Sequence, residues 1–288
     1  MSRIVIVTDS ASNLPPEVAK KHNIHILPLR LNWGGKVLRD GVDITPSELY
    51  ARMRVDAHLP TTSTFSPYDL LQVSHMLVNE YDAIVGIFLA HELSATFETA
   101  QMAQRLDPTL PLHVVDSRTA TMSEGFVALE AARAAEAGAT VEQVINRAHE
   151  VLKRTHLLAT LETLKYLRRG GRIGTASAFL GSLIQMKPIL HIPPGSGSVI
   201  GIARPRTWGR AIERMVDLMA ERVNEQPVHV AIGHSHRESA ARALADTLQQ
   251  RFDVCELYIT YFTLVMGVHA GPVLSISFYT EESSPEIS

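Results

Sequence analysis

Five hydroxyl side chains stand within the seven residues Thr61-Thr62-Ser63-Thr64-Phe65-Ser66-Pro67, directly behind Pro60. Ser66, Pro67 and Asp69 are typical of a helix start, as N-cap, first-turn proline and first-turn acid. A hydroxyl-rich turn that leads into a helix offers an anion oriented donors and the positive end of the helix dipole. Because the stretch contains no lysine or arginine, it favours one carboxylate over a triphosphate. Taken alone, a capped helix behind a polar loop is the simpler interpretation.

Two residues far along the chain offer further donors to a carboxylate. Ser94 follows the apolar run Ala83–Leu89 and precedes a helical pattern, so we predict it to be the N-cap of that helix, with its hydroxyl available to an anion. His269 precedes Ala270-Gly271-Pro272, a small turn-forming tripeptide that holds the imidazole in a fixed place. A histidine can donate to a carboxylate or carry a charge beside one. Capping and turn formation alone also explain the two residues.

A basic turn is formed by Arg168, Arg169 and Arg172 around Gly170-Gly171. It lacks the Gly-x-x-x-x-Gly-Lys-Ser/Thr spacing of a phosphate-binding loop and does not follow a clear strand. We expect the three arginines to be exposed, either as a docking surface for an acidic partner or as an inert solvated turn.

Acidic residues follow two predicted strands, at Asp9-Ser10 and Asp116-Ser117, a position also used in metal and phosphoryl chemistry. The first pair is followed by Ala11-Ser12 and not by the second acid of an aspartyl-phosphate enzyme, so capping of strand-to-helix turns is the better interpretation. No spacing isolates a nucleophile, a zinc ligand set or a dinucleotide loop. We therefore predict a binding protein without catalytic residues, cofactor or metal. The alternative is a stand-alone phosphotransferase or hydrolase that acts on a lipid-like substrate through Asp9, Asp116 and His269.

The first half of the chain repeats one pattern, in which a short apolar run ends in a polar cluster and a helical segment follows. Such alternation predicts a parallel sheet covered on both faces. Ligands of these sheets bind outside the carboxyl ends of the strands. The strands predicted in this half are Ile4–Val7, Ile24–Leu31, Ala83–Leu89 and Leu112–Val115.

The second half mixes hairpins with helices. Leu157–Leu161 predicts a strand, Thr175–Met186 a helix and Pro194-Gly195-Ser196-Gly197 a hairpin turn. The sequence as a whole predicts a two-domain α/β fold. Residues 1–155 would form the parallel-sheet domain and residues 156–288 an α/β domain with a mixed sheet.

Composition argues against several other classes of protein. The 288 residues carry a formal net charge of -3, from 27 basic and 30 acidic residues, which provides no global field for nucleic acid. The single cysteine, Cys255, lies in an apolar run, where we expect a small core residue. No span reaches the ~20 apolar residues that cross a bilayer, and the N-terminal apolar run is too short for a secretory signal. We expect a cytoplasmic protein.

Seven motifs, in order along essentially the whole chain, resemble the DegV family of bacterial fatty-acid-binding proteins. Each motif alone is weak, but their order and separation together are specific. They are Thr8-Asp9-Ser10, Thr62-Ser63-x-x-Ser66-Pro67, Ser94-x-Thr96-Phe97, Val115-Asp116-Ser117, Leu167-x-x-Gly170-Gly171-Arg172-Ile173, Lys187-Pro188-Ile189 and His269-Ala270-Gly271-Pro272.

The resemblance implies a two-domain α/β fold that buries one long-chain fatty acid between its domains. Members of this kind deliver the acyl carboxylate to a separate ATP-using kinase subunit, which makes an acyl phosphate for phospholipid metabolism. Transient contact with a membrane fits such a ligand. The residues implied for the carboxylate are Thr62, Ser94 and His269, with Ser63, Ser66 and Gly271 as supporting residues and Arg168, Arg169 and Arg172 as candidates for docking the kinase.

The chain departs from the family pattern at Thr64-Phe65, Ala95 and Val273, where the family usually shows Gln-Pro, Gly and a second Gly. These changes leave the carboxylate residues in place and put acyl-chain preference and partner docking in question. Candidates to line the lipid tail are Phe179, Leu180, Leu183, Ile184 and Met186, although core packing explains them nearly as well.

Overall fold

A computed structural model describes residues 2–55, 59–182 and 186–281. The strands are β1 Ile4–Asp9, β2 Ile24–Leu27, β3 Arg30–Trp33, β4 Lys36–Arg39, β5 Thr61–Ser63, β6 Ala83–Phe88, β7 Leu112–Asp116, β8 His156–Leu161, β9 Ile189–Ile192, β10 Ile200–Ala203, β11 Val228–His234, β12 Val254–Tyr261 and β13 Val273–Thr280. The helices are α1 Pro16–Lys21, α2 Pro46–Val55, α3 Pro67–Leu77, α4 Thr96–Leu106, α5 Met122–Glu136, α6 Val141–Leu152, α7 Lys165–Gly170, α8 Trp208–Val223, α9 Glu238–Arg251 and α10 Leu264–Ala270. Two 3-10 segments cover Ser10–Ser12 and Gly174–Ser182.

The first sheet is parallel throughout, with the strand order β2-β1-β6-β7. Both central strands, β1 and β6, are buried along their whole length, as expected for apolar strands covered on both faces. The carboxyl ends of β1, β6 and β7 share one edge, which gathers Asp9, Asp116 and the loop that carries Ser94. The predicted parallel sheet is confirmed.

The prediction of one strand over Ile24–Leu31 is wrong. Pro28 lies between β2 and β3. Proline has no backbone N–H, so it cannot donate the hydrogen bond that a continuous strand would need at this position. The chain therefore leaves the parallel sheet after β2, and β3 becomes the centre of a small antiparallel sheet with the order β4-β3-β5. Thr61–Ser63, which we expected in a turn, is an edge strand of this small sheet, in keeping with the strand preference of threonine.

The second large sheet has the order β10-β9-β8-β13-β11-β12 and is mixed, because only β11 and β12 run parallel. This confirms the mixed-sheet α/β fold of the second half. The helix predicted over Thr175–Met186 is wrong: a 3-10 segment ends at Ser182. Its buried side chains, Ala176 and Phe179, are three residues apart, which suits the turn of a 3-10 helix.

Cys255 is exposed, so its prediction as a core residue is also wrong. Val228 pairs with Val254 and His229 with Glu256, and the register shift between them skips Cys255. Such a bulge turns a side chain away from the regular alternation of the strand.

One hydrophobic cluster joins the two halves of the chain, with Leu29 and Phe88 from the first half and Leu157 and Phe262 from the second. The division into domains at residues 155 and 156 stays a prediction. Among the helices that the structure describes, none is both long enough and apolar enough to span a bilayer.

Candidate functional site

A cavity of about 340 Å³ lies where the two halves of the chain meet. This volume falls in the range of roughly 300–1,000 Å³ that is usual for small-molecule sites. Leu157, Ala159 and Leu161 alternate along β8 and so turn toward the cavity together. Most of the remaining wall is aliphatic, with contributions from Leu29 and Val265. The cavity is suited to an apolar molecule.

Thr62 and His269 meet in the wall of this cavity, from opposite halves of the chain. Thr62 lies on β5, where it pairs with Leu31 of β3, and His269 lies near the end of α10. Thr62 Oγ1 and His269 Nε2 are 2.8 Å apart, a hydrogen bond between residues separated by 207 positions. Both side chains are half-buried.

The His269 imidazole is neutral at pH 7. Burial, with a smaller contribution from the nearby Arg172 charge, lowers the pKa of His269 to about 4. Its Nδ1 is buried and has no hydrogen-bond partner among the described residues. Because an unpaired lone pair is tolerated better than an unpaired N–H, we assign the proton to Nε2, which donates to Thr62 Oγ1. The Thr62 hydroxyl is then free to donate its own proton into the cavity.

Ser94 lines the same cavity, but it is not the N-cap that we predicted. The N-cap of α4 is Ala95, and no side chain caps the helix there. The chain turns one residue late because Ser94 N and Leu93 N both bond to Ala90 O, which keeps Ser94 in a turn before the helix. Ser94 Oγ lies 2.7 Å from Thr96 Oγ1. A Thr96 hydroxyl that donates to Ser94 leaves the Ser94 proton available to a ligand.

The supporting residues have three different positions. Ser63 lines the cavity and accepts a hydrogen bond from Asn32 Nδ2 at 3.2 Å. Ser66 caps α3, as predicted, and Asp69 completes a reciprocal capping box; Ser66 is not among the residues that line the cavity. Gly271 follows α10 with φ +66, and a Cβ there would collide with the Tyr166 ring, so the residue fixes where α10 ends.

The three arginines of the basic turn do not share one position. Arg168 and Arg169 are exposed on α7. Arg172 lines the cavity, where its Nε donates to Leu93 O at 2.9 Å and its Nη1 to Gly170 O at 2.6 Å. It thereby ties the basic turn to the loop before Ser94.

The predicted tail residues contribute little to the described wall. Phe179 is buried, but it packs against Gly201 and under the Arg204 guanidinium, and neither it nor Met186 is part of the cavity wall. Leu183 and Ile184 lie outside the described residues, and the side chain of Leu180 is likewise not described. The strand β8 supplies the wall instead. Because Leu157 and Leu158 are both buried, in two different hydrophobic clusters, no local pattern marks which face of β8 lines the cavity.

Gly170 contacts a residue of the site, His269, although its place in the basic turn did not predict this contact. A Cβ at this position would fall well inside van der Waals contact of His269 Nδ1. The glycine therefore lets the imidazole lie flat against the end of α7, in line with Thr62.

Replacing Gly170 with alanine is expected to push the His269 ring away from Thr62 and to lower the free energy of unfolding by about 1–3 kcal/mol, as overpacking does. Imidazole nitrogen NMR signals and thermal unfolding measure the two effects. Gly209→Ala is the matched control, because a Cβ at Gly209 meets nothing within 4 Å. An unchanged His269 signal in Gly170→Ala would contradict this prediction.

The acids considered for catalysis are engaged elsewhere. Asp9 is fully buried, and its two oxygens accept N–H groups of Ala11 and Leu89, at 2.8 and 3.0 Å. Asp116 Oδ2 lies 2.6 Å from His91 Nδ1. In the part of the chain that the structure describes, neither acid bonds to His269.

Among the residues that the structure describes, two groups of side chains have the spacing of metal ligands. In the group His91, Glu92 and Asp116, Glu92 already pairs with Arg118 Nη2 at 2.6 Å. In the group His229, Cys255 and Glu281, the imidazole bridges two carboxylates, Glu256 through Nδ1 at 2.8 Å and Glu281 through Nε2 at 3.1 Å. Ion pairs account for the geometry of the two groups.

A family model described as "Uncharacterised protein, DegV family" matches residues 3–281. The chain belongs to the DegV family. Among curated DegV relatives, Protein DegV of Bacillus subtilis is 31% identical over 270 residues, which covers 93% of this chain and 95% of that protein. A DegV domain-containing protein of Streptomyces coelicolor is 35% identical over 278 residues, covering 95% and 97% of the two chains.

Solved DegV structures share the whole fold. A DegV family protein from Thermus thermophilus, described as fatty-acid-binding, superposes with a TM-score of 0.91 at 30% identity, over 97% of this chain and 100% of that one. DegV of Bacillus subtilis, also described as a fatty acid binding protein, gives a TM-score of 0.89 at 30% identity, over 98% and 100%. These descriptions agree with the prediction of a DegV binding protein as opposed to an enzyme.

Proposed function

We propose that this DegV protein binds one long-chain fatty acid, with its carboxylate against Thr62 and Ser94 and its tail between the two halves of the chain. The observation that carries the proposal is the make-up of one cavity wall. Thr62 and the neutral His269 imidazole are hydrogen-bonded in this wall, Ser94 and Arg172 line the same cavity, and most of the remaining lining is aliphatic.

The head of the ligand needs hydrogen-bond donors, because an unpaired carboxylate is costly to bury. Because His269 Nε2 donates to Thr62 Oγ1, the Thr62 hydroxyl can donate its own proton to the carboxylate. Ser94 can donate a second hydrogen bond. Donation to an ionised acceptor is roughly twice as strong as between neutral groups. Neither donor carries a full charge, so the carboxylate oxygens keep their nucleophilic character.

The tail supplies most of the gross affinity. Burial of a methylene gains about 0.8 kcal/mol, so a tail of roughly 15 carbons gains on the order of 12 kcal/mol. Lost translational and rotational freedom of the ligand offsets much of this gain. Val265 and Met266 of α10 and the alternate residues of β8 are the surfaces we assign to the tail.

We further propose that a separate kinase subunit phosphorylates the bound acid, as the starting point of its use in phospholipid metabolism. The exposed Arg168 and Arg169 lie on α7, whose last residue, Gly170, packs against His269. A partner docked on these arginines would lie on the helix whose end packs against His269. Loading and delivery of the acid would involve transient contact with a membrane. The engagement of Asp9 and Asp116 away from His269 argues against a stand-alone phosphotransferase.

Extraction of the denatured protein with organic solvent, followed by mass spectrometry, tests the binding proposal. We expect one long-chain fatty acid per chain after purification, or after incubation with added acid if the purified protein is empty. Reproducible absence of acyl chains under the two conditions would remove the proposal.

His269→Ala is expected to impair phosphorylation by the kinase subunit by at least about a hundredfold, and to weaken fatty acid retention by only about tenfold. The physical reason is that His269 orients the Thr62 proton, while the apolar tail keeps most of its contacts. Acyl phosphate formation in a reconstituted assay, at saturating fatty acid, separates the two effects. Equal rates for the variant and the wild type would refute the role of His269.

A further inference from the structure

Asp40 lies in the turn after β4 and is not part of the cavity wall. Its side chain is only 4% exposed. Gly41 follows with φ +69, and Arg39 Nη2 closes the turn by an ion pair of 2.9 Å with Asp43 Oδ1. Ser10 Oγ donates to Asp40 Oδ2 at 2.8 Å. The carboxylate therefore points inward from a well-braced turn.

Asp40 caps α10, which lies 224 positions further along the chain. Leu264 N donates to Asp40 Oδ1 at 3.0 Å, and Val265 N donates to Oδ2 at 3.5 Å. Thr263 occupies the N-cap position but makes no capping bond, and its hydroxyl lies 3.4 Å from Asn13 Oδ1. The first N–H groups of a helix have no acceptor within the helix, and the helix dipole favours an anion beside them.

The small sheet that carries Asp40 also holds the other end of α10. Thr62 of β5 bonds to His269, five residues after Leu264, which is about 7.5 Å along the helix axis. Arg39, the residue before Asp40, pairs with Arg30 of β3, and Arg30 pairs in turn with Ser63 of β5. One sheet thus attaches to α10 at two points, through Asp40 and through Thr62.

We propose that Asp40 is a positioning residue for the carboxylate site, because its cap on α10 sets the distance between His269 Nε2 and Thr62 Oγ1. Without this cap, α10 would be held to the small sheet by the Thr62 bond and by apolar packing, neither of which fixes a helix along its own axis. The measurement of fatty acid release rests on the proposed function, and the measurement of the bond from His269 to Thr62 does not.

The test compares Asp40→Ala and Asp40→Asn with the wild type, in the full chain. Leu218→Ala is the matched control, because Leu218 is buried in a separate hydrophobic cluster around α8 and α9. Imidazole nitrogen NMR of the delipidated proteins reports on the bond from His269 to Thr62. Stopped-flow release of cis-parinaric acid, a fluorescent fatty acid, reports on retention, and thermal unfolding reports on stability.

We expect Asp40→Ala to shift the His269 nitrogen signals and to release parinaric acid about tenfold faster than the wild type, the size of effect that loss of a strong cap produces. Asp40→Asn keeps an acceptor for Leu264 N and should stay within about threefold of the wild type. Leu218→Ala should lower the melting temperature and move neither the His269 signals nor the release rate.

Unchanged His269 signals in a folded Asp40→Ala variant would overturn the inference. If that variant does not fold, Ser10→Ala, which removes the bond that orients Asp40 Oδ2, takes its place with a smaller shift in the same direction, and no shift there would also overturn it. Failure of the wild type to bind parinaric acid would count against the proposed function, while the His269 signals would still decide the role of Asp40.

Discussion

Removal of both hydroxyls, in a Thr62→Val and Ser94→Ala double variant, is expected to leave a folded protein that no longer retains fatty acid through purification. Each hydrogen bond to a charged acceptor contributes about 1.5–3 kcal/mol, so each single variant should weaken binding by roughly 10–150-fold. Valine keeps the branched shape of threonine in β5, so the loss at Thr62 is chemical and not one of packing. Because the two hydroxyls serve one carboxylate, we expect the double variant to lose less than the product of the single effects.

Ser63→Ala is the matched control for this prediction. Ser63 also lines the cavity, but it neighbours Thr62 in β5, so its side chain points to the opposite face of the strand, where it is exposed and accepts from Asn32. Its removal should change the dissociation constant by no more than a few fold. Titration with a fluorescent fatty acid, together with the lipid content of the purified proteins, measures the series. Retention by the double variant at the level of Ser63→Ala would place the carboxylate elsewhere.

The second large effect concerns a buried pair of acids at the carboxyl end of β1. Asp9 and Glu124 are both fully buried and lie in hydrogen-bond contact, with Thr8 Oγ1 donating to Glu124 Oε1 at 3.3 Å. Burial raises the pKa of Asp9 to about 6. Burial, and then the Asp9 charge, raise the pKa of Glu124 well above its usual range. The directions of the two shifts make Glu124 the more readily protonated acid of the pair.

When folding raises the pKa of an acid, binding of its proton stabilises the folded state. This stabilisation is fully present below the pKa of the unfolded chain and is lost as the pH rises through the pKa of the folded protein. The free energy of unfolding should therefore fall between about pH 4 and 6 for Asp9, and on to higher pH for Glu124, by up to about 1.4 kcal/mol per pH unit for each group. Glu124→Gln keeps a neutral donor for Asp9 and removes the contribution of Glu124. We expect the variant to lose less stability than the wild type between pH 6 and 8.

Urea unfolding across this pH range, with Glu150→Gln as an exposed control on α6, measures the difference in slope. Parallel curves for Glu124→Gln and the wild type would show that Glu124 does not hold the proton. The variant lies outside the cavity wall, so its fatty acid content should stay unchanged, which separates this effect from the carboxylate site.

Local chemistry made part of the molecule predictable. The N-cap at Ser66 and the first-turn acid Asp69 depend on residues three apart, and the unbroken apolar runs of β1 and β6 required burial on both faces. The residue types at the carboxylate site were likewise visible, since Thr62, Ser94 and His269 stand out by their neighbours. Their roles, and the domain division at residue 155, stay predictions.

At other positions, contacts between distant parts of the chain made predictions from local sequence patterns wrong or incomplete. Ser94 has the composition of an N-cap, but the turn that closes on Ala90 moves the cap to Ala95. The apolar run around Cys255 predicts a core residue. In the structure, its strand pairs with β11 through a bulge that turns the side chain outward. Gly170 gains its importance only from an imidazole about one hundred residues later in the chain.

The sequence by itself determined that β1 and β6 are buried strands of a parallel sheet and that α3 begins behind Ser66, and it singled out Thr62, Ser94 and His269 as candidates to hold a carboxylate. These follow from hydrogen bonding and apolar periodicity over a few residues. Only the tertiary structure decided that Thr62 meets His269 in a cavity wall, that β8 lines this cavity and that Asp40 caps α10. Each of these depends on a contact between residues that the chain keeps far apart, and no local pattern encodes the distance between them.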